Sequence, residues 1–327
     1  MTGDSSFRAK ILDKINIAPG GYLKKIFITC ASFEDRCLGV PQLFSQDYAI
    51  DKAFIFVYED PSKKREENLE KLAHFVATKG DGFSRIQTAE GDPIPAISVL
   101  HKELKEYQIR EKQFAIDLDI TTFTKRHLLL LLKAIDDLEL WDHLRILYTE
   151  PQNYVADLYL PMSMGLRSLS PISGFISTSS PTLPELLVIF LGYEGDRALA
   201  VYENIDPEDT VLVIARPAYH DEWNGRTEAM NRSIIQMIGK GKIEYAHAID
   251  PSKVTETLRR IQEKYNPAKW RWVIVPLGTK PQTLGIYYFW RENPNMFSLI
   301  YAQPLKHNEA FFSTGIGKSW ILKDLLP

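Results

Sequence analysis

The sequence predicts an α/β protein made of two tandem Rossmann-like units, an internal duplication with mainly parallel sheets. Three observations predict it. Short β-rich apolar runs alternate with charged segments of helical period, the signature of βαβ units. That rhythm breaks once, in the serine-, proline- and glycine-rich stretch over 162–184, and then restarts. Particular residues also recur in both halves in the same order.

In the first half the spacing predicts strands at Lys25 to Cys30, Ala53 to Glu59, Ser84 to Thr88, Phe114 to Asp119 and Leu144 to Tyr148. Between them, Ser62 to Thr78 has a serine start and apolar Leu69, Leu72, Ala73 and Val76 at helical spacing. Further helices are expected over Pro95 to Tyr107 and Thr124 to Leu138. In the second half strands are expected at Leu186 to Leu191, Thr210 to Ala215, Lys242 to His247, Arg271 to Leu277 and Phe297 to Ala302. Helices there begin near Asp196, Arg226, Ser252 and Pro281. The implied boundaries are 1–161 for the first unit, 162–184 for a linker or long loop, and 185–327 for the second unit.

The repeat is carried by four matches. Phe33-Glu34-Asp35-Arg36 answers Tyr193-Glu194-Gly195-Asp196-Arg197 with one residue inserted, and Asp92-Pro93 answers Asp250-Pro251. The helices that follow end in Tyr107 and Tyr265, and the fifth strands close on Leu147 to Pro151 and Ile300 to Pro304.

A chain of 327 residues suits two domains, and its 45% hydrophobic and 25% charged residues are those of an ordinary globular protein. A net charge of −3 gives no global attraction to nucleic acid or membrane. The two cysteines, Cys30 and Cys37, have no second pair to complete a zinc site and read as reduced thiols. The N-terminus, with Asp4, Arg8, Lys10, Asp13 and Lys14, lacks the apolar core of a signal peptide, and no run of about 20 apolar residues occurs. A cytoplasmic location is therefore expected.

If each sheet has strand order 3-2-1-4-5, ligands belong outside the carboxyl ends of strands one and four, where the order reverses. In the first copy this selects Ser32, Glu34 and Arg36, then Asp119, Thr121, Thr122 and Lys125. In the second it selects Gly192, Glu194 and Arg197, then Gly278, Thr279 and Lys280. Hydroxyls, helix-start amides and basic side chains all donate toward phosphate oxygens. The bland alternative is a helix N-cap at Thr122 or Thr279 with ion pairs, Glu34 with Arg36 among them. Asp117 and Asp119 alternate along one strand and so share a face, as paired carboxylates or, with Glu34, as a metal triad.

Pro276-Leu277-Gly278-Thr279-Lys280-Pro281 at a strand-to-helix turn resembles the Gly-Thr-Lys-Pro turn of the CARF family, Rossmann-like sensors of cyclic oligoadenylates in CRISPR-associated defence. The likeness covers six residues, and Pro276 stands where a polar residue is common. It implies that Thr279 and Lys280 contact ligand, that Asp119, Thr121 and Thr122 are the degenerate counterpart, and that the setting is prokaryotic antiviral defence.

Other signals fail. Ser313 to Ser319 has Phe312 where a phosphate loop needs glycine, and it reads as a C-terminal turn with Trp320 to Leu322 packing on the body. No Gly-x-Gly-x-x-Gly follows either first strand, and Ala31 to Phe33 lacks the glycines of a nucleophile elbow. His127 reads as a packed helix residue, and His220-Asp221-Glu222 with Arg226 as a loop able to reach the switch point.

Three functions remain open on the sequence. The leading one is a nucleotide-binding sensor or regulatory module that acts with a protein partner or as a homo-oligomer. The second is a metal-dependent nuclease or phosphohydrolase using Asp117, Asp119 and Glu34. The third is a structural subunit, with the aromatic run Tyr287-Tyr288-Phe289-Trp290 as an interface or, more simply, as core. No cofactor is specified.

Overall fold

The computed structural model describes residues 9–12, 24–59, 62–80, 82–111, 113–155 and 162–325. Most of the N-terminal stretch read for a leader lies outside them. In chain order the elements begin with β1 (Lys10–Ile11), β2 (Lys24–Ala31), β3 (Lys52–Tyr58), α1 (Lys63–Ala77), β4 (Ser84–Thr88), α2 (Ile94–Arg110), β5 (Phe114–Asp119), α3 (Lys125–Asp137) and β6 (Leu144–Tyr154). Then follow β7 (Ser163–Pro171), β8 (Glu185–Phe190), α4 (Gly195–Ile205), β9 (Asp209–Ala215), α5 (Arg226–Met230), α6 (Arg232–Ile238), β10 (Ile243–Ala246) and α7 (Pro251–Lys264). The chain closes with β11 (Arg271–Pro276), α8 (Lys280–Glu292), β12 (Phe297–His307) and β13 (Ser313–Lys323).

The strands form two sheets, ordered β1-β13-β6-β5-β2-β3-β4 and β10-β9-β8-β11-β12-β7. The parallel portion of each is the expected 3-2-1-4-5. Central strands β5 and β8 are buried throughout, as parallel strands covered by helices on both faces must be. The cores are separate. One gathers Phe27, Ile55, Leu72, Val76 and Leu147, the other Ile189, Leu212, Ile235, Val273 and Val275.

The helix starts have local causes. Ser62 accepts from the Arg65 amide at 3.2 Å and opens α1, and Thr124 accepts from the His127 amide at 3.3 Å and opens α3. The repeated Asp-Pro step works alike in both copies: Asp92 accepts from the Ile94 amide at 3.3 Å and Asp250 from the Ser252 amide at 3.0 Å. The copies differ in the first crossover. Where the second has α4, the first has 3₁₀ turns at Asp35–Leu38 and Pro41–Leu43.

The expected boundaries need correction. The stretch 162–184 is not simply a linker, because it contains β7, which runs antiparallel to β12 with Ser170 opposite Tyr301. The C-terminal turn expected at Ser313 is the start of β13, antiparallel to β6, with Trp320 opposite Tyr148. One unit therefore comprises Met1–Tyr154 with Ser313–Pro327, and the other Val155–Phe312. Each fifth strand thus gains an antiparallel neighbour, β12 from the segment that precedes the second copy and β6 from the segment that follows it. Both β7 and β13 lack the apolar alternation that marks a half-buried strand. In β13 the phosphate-loop-like glycines serve close approach: a Cβ on Gly317 would lie 2.7 Å from the Glu150 carbonyl oxygen.

The aromatic run is core, with Tyr287, Tyr288 and Phe289 buried in α8, which removes it as an interface. Among the described residues no helix is long and apolar enough to cross a membrane. Cys30 and Cys37 are buried free thiols, and burial pushes Cys37 up to about 12.

Candidate functional site

In the first unit the residues chosen after strands one and four do meet, in one buried network. The Arg36 guanidinium spans Glu34 through Nε at 2.8 Å and Nη2 at 3.0 Å, while Nη1 donates to Tyr148 Oη at 3.2 Å and the Thr149 carbonyl at 3.3 Å. The Thr149 amide in turn donates to Thr121 Oγ1 at 2.9 Å, and Thr121 donates through both its amide and its hydroxyl to Asp119. Thr29 adds a hydroxyl at 3.3 Å, and Thr122 Oγ1 donates to the Cys30 carbonyl at 2.6 Å. Ser32 Oγ accepts from the Glu34 amide, and Ser313, first residue of β13, donates to the Glu34 carboxylate.

None of Ser32, Glu34, Arg36, Asp119, Thr121 or Thr122 is more than 8% exposed, so the arrangement is a filled polar core rather than an open crevice. Burial raises Asp119 to about 6 against the pull of its threonine donors and Arg36. Burial would also lower Arg36, but Glu34 and the nearby tyrosines outweigh it and hold the guanidinium well above its usual range. Thr122 is not the helix cap. That role falls to Thr124, and Lys125 is the first helical residue.

Asp117 and Asp119 do not act as a pair. Asp117 accepts Arg145 at 2.7 and 2.6 Å and the Tyr48 hydroxyl, a separate buried cluster. Among the described residues no three His, Cys, Asp or Glu side chains converge to hold a metal ion, Asp117, Asp119 and Glu34 included. His127 is fully buried between the hydroxyls of Thr88 and Thr124 at 2.8 and 2.7 Å, and burial drives it down to about 3, as fits a packed residue.

The second unit repeats the scaffold around strand one. Glu194 pairs with Arg197 at 2.5 Å, and Ser163, first residue of β7, donates to the Glu194 carboxylate at 2.7 Å, as Ser313 does to Glu34. A guanidinium lies over the aromatic ring beside each glutamate, Arg65 over Phe33 at 5.9 Å and Arg226 over Tyr193 at 4.9 Å. An asparagine after strand two holds each loop: Asn68 of α1 donates to the Ser32 carbonyl at 2.9 Å, and Asn231, between α5 and α6, to that of Gly192 at 2.7 Å.

Here the repeat ends. Beside the Glu194–Arg197 pair lies a cavity of about 360 Å³ whose walls include Ser163, Tyr193, Glu194, Asp196, Arg197 and Arg232. Gly195 opens α4 at its edge, where a Cβ would lie 2.1 Å from the Met230 carbonyl oxygen. Burial lifts the Tyr193 phenol to about 12, despite Arg226.

The strand-four turn of this unit has a different occupation. Thr279 caps α8 in a reciprocal capping box with Gln282, and its hydroxyl donates to the Ala248 carbonyl at 2.6 Å. A Cβ on Gly278 would collide with Gln282 Oε1 at 2.2 Å, so the glycine serves the box. Gly278, Thr279 and Lys280 are not among the residues that line the cavity.

Ser163 and Arg232 were not selected from the sequence. Ser163 stood in the stretch read as linker, and Arg232 lies on a helix after strand two, away from the turns that a switch-point argument selects. Glu194 and Arg197, selected from the strand-one turn, do lie on this wall.

No protein-family model matches the sequence, and no curated protein does. Among solved structures the chain is similar to UDP-GlcNAc 2-epimerase from Neisseria meningitidis bound to UDP-GlcNAc, at 9% identity and a TM-score of 0.23, over 78% of this chain and 77% of that one. A likeness at that score carries no argument about ligand or chemistry.

Proposed function

We propose that this protein is a nucleotide-binding sensor or regulatory module, that its ligand occupies the crevice of the second unit, and that it reports occupancy to a partner protein. The observation that carries the reading is the cavity of about 360 Å³ beside the carboxyl end of β8, one of the two strands between which the order reverses. Its wall combines two guanidinium-bearing residues, two carboxylates and a tyrosine, groups that suit phosphate, hydroxyl and base in turn. The first unit serves as scaffold in this reading, since its equivalent residues satisfy one another.

The test is a thermal-shift screen of the full chain with mono-, di- and cyclic nucleotides. A ligand present at 100 times its Kd stabilises the folded state by about 2.7 kcal/mol, enough to move a melting curve. Stabilisation is expected, and it should weaken in Arg232→Ala, whose exposed side chain leaves folding untouched. Absence of any shift across the panel would overturn the reading.

A further inference from the structure

We propose that the outer edge of β7 is a homodimer interface, where two copies of this chain pair antiparallel about a two-fold axis at Leu169 and join their second-unit sheets.

The first support is a difference between two equivalent edges. β13 and β7 hold the same place beside the matched fifth strands, Ser319 opposite Thr149 in one unit and Leu169 opposite Ala302 in the other. In the first sheet β13 is not the edge. β1 covers it, with Lys10 opposite Ile321, Ile11 opposite Trp320 and the Leu12 amide donating to the Ser319 carbonyl at 2.8 Å. Leu12 is thereby buried in the first core. β7 ends its sheet and has no such cover among the described residues. An open edge strand presents its outward amides and carbonyls to another chain.

The hydrogen-bond phase shows which groups are offered. Ile172 donates its amide to the Leu299 carbonyl at 2.9 Å, so along the antiparallel ladder Ser170 and Ser168 bond β12, while the amide and carbonyl of Leu169 face outward. The Leu169 carbonyl is the counterpart of the Ser319 oxygen that Leu12 uses.

A second copy fits this edge because the segment Arg167-Ser168-Leu169-Ser170-Pro171 is complementary to itself. About an axis at Leu169, each Leu169 faces the other and the two exchange both backbone hydrogen bonds. Ser168 then faces Ser170 of the partner copy in the closer type of pair, where hydroxyls reach one another. Arg167 is the one charged residue of β7 and donates to the Leu305 carbonyl at 3.2 Å. It faces Pro171 of the partner copy, so like charges do not meet. Pro171 has no amide to donate and ends the ladder, which keeps the pairing short. On the face that carries α4, Leu166, Leu169, Leu199 and Tyr202 are only partly buried, and the partner copy covers them. Ser163, Met164 and Gly165, at the start of the same strand, line the cavity, so interface and cavity share β7.

So short a pairing gives a weak dimer whose population rises with concentration. Sedimentation velocity of the full chain at rising micromolar concentrations should therefore show a monomer-dimer equilibrium. Ser168→Lys with Ser170→Lys sets like charges opposite each other twice and should weaken association about tenfold. Ser168→Lys with Ser170→Glu sets opposite charges there and should restore it. Leu169→Cys should oxidise to a disulfide-linked dimer, since paired residues at this position lie about 5.5 Å apart between Cα atoms. Ser180→Cys, exposed and off the strand, should stay monomeric on oxidation, and the buried Cys30 and Cys37 do not compete. Thermal melts of each variant confirm folding, and the disulfide result decides the matter if the lysine pair does not fold. A chain that stays monomeric throughout would overturn the proposal. So would a dimer that ignores the charge swap and leaves Leu169→Cys unlinked.

Discussion

Asp119 is the residue whose surroundings differ most from what its position in the sequence suggests. Alternation along β5 put it beside Asp117 on one face, but its oxygens are taken by Thr29 and Thr121 and those of Asp117 by Arg145 and Tyr48. Its carboxyl titrates near 6 rather than 3.8 because burial penalises the charge more than the threonines and Arg36 relieve it. A carboxyl raised in this way holds its proton more tightly folded than unfolded. Its contribution is fully present below pH 3.8 and is lost as the pH rises through 6. Asp119→Asn should flatten that slope, which is on the order of 3 kcal/mol across the interval, and urea melts at several pH values between 4 and 7 measure it. The asparagine still accepts from Thr121, so a variant with an unaltered slope would assign the titration to another group.

At the scale of elements, helix starts were the most legible feature, because a cap acts over three residues. The sequence marks Ser62 as a helix start, Thr124 as the first residue of its helix and Asp250 as part of a repeated Asp-Pro step, and it gives Thr122 and Thr279 as alternative caps, of which Thr279 is one and Thr122 is not. The Gly-Thr-Lys-Pro turn shows the ambiguity of a short motif. The same residues that resemble a ligand turn form a complete capping box with Gln282. Thr279→Ala should therefore cost about 1 kcal/mol of stability, with Thr279→Ser restoring most of it, and leave ligand affinity in the second unit unchanged. Denaturant melts and titration of the same samples report both quantities. A loss of affinity larger than the loss of stability would return the turn to the ligand site.

On the scale of the molecule, the two units share one strand order, and each fifth strand has an antiparallel neighbour, β7 from the segment just before the second copy and β13 from the segment after it. Both incoming strands begin with a serine bound to the glutamate after strand one. Ending the chain at Phe312 removes β13, exposing the edge of β6 and taking Ser313 from Glu34. Limited proteolysis of that shortened chain should degrade the first unit while a fragment within 155–312 persists. Equal resistance of both units would show that β13 is dispensable to the first.

The sequence by itself determined the parallel alternation and the repeat, because periodicity and capping are local, while the 3-2-1-4-5 order, and with it the choice of turns, was an assumption that the sheets bear out. Tertiary structure decided which turns are filled and which is open. The Glu-Arg pair looks alike in both copies as a string of letters. Whether its arginine is saturated depends on Tyr148 and Thr149, 112 and 113 residues away, and β13 finds a partner as far as 279 residues off. Contacts at such separations leave no periodic trace in the chain. Arg36 is consequently a core residue, whereas Arg197 lines a cavity.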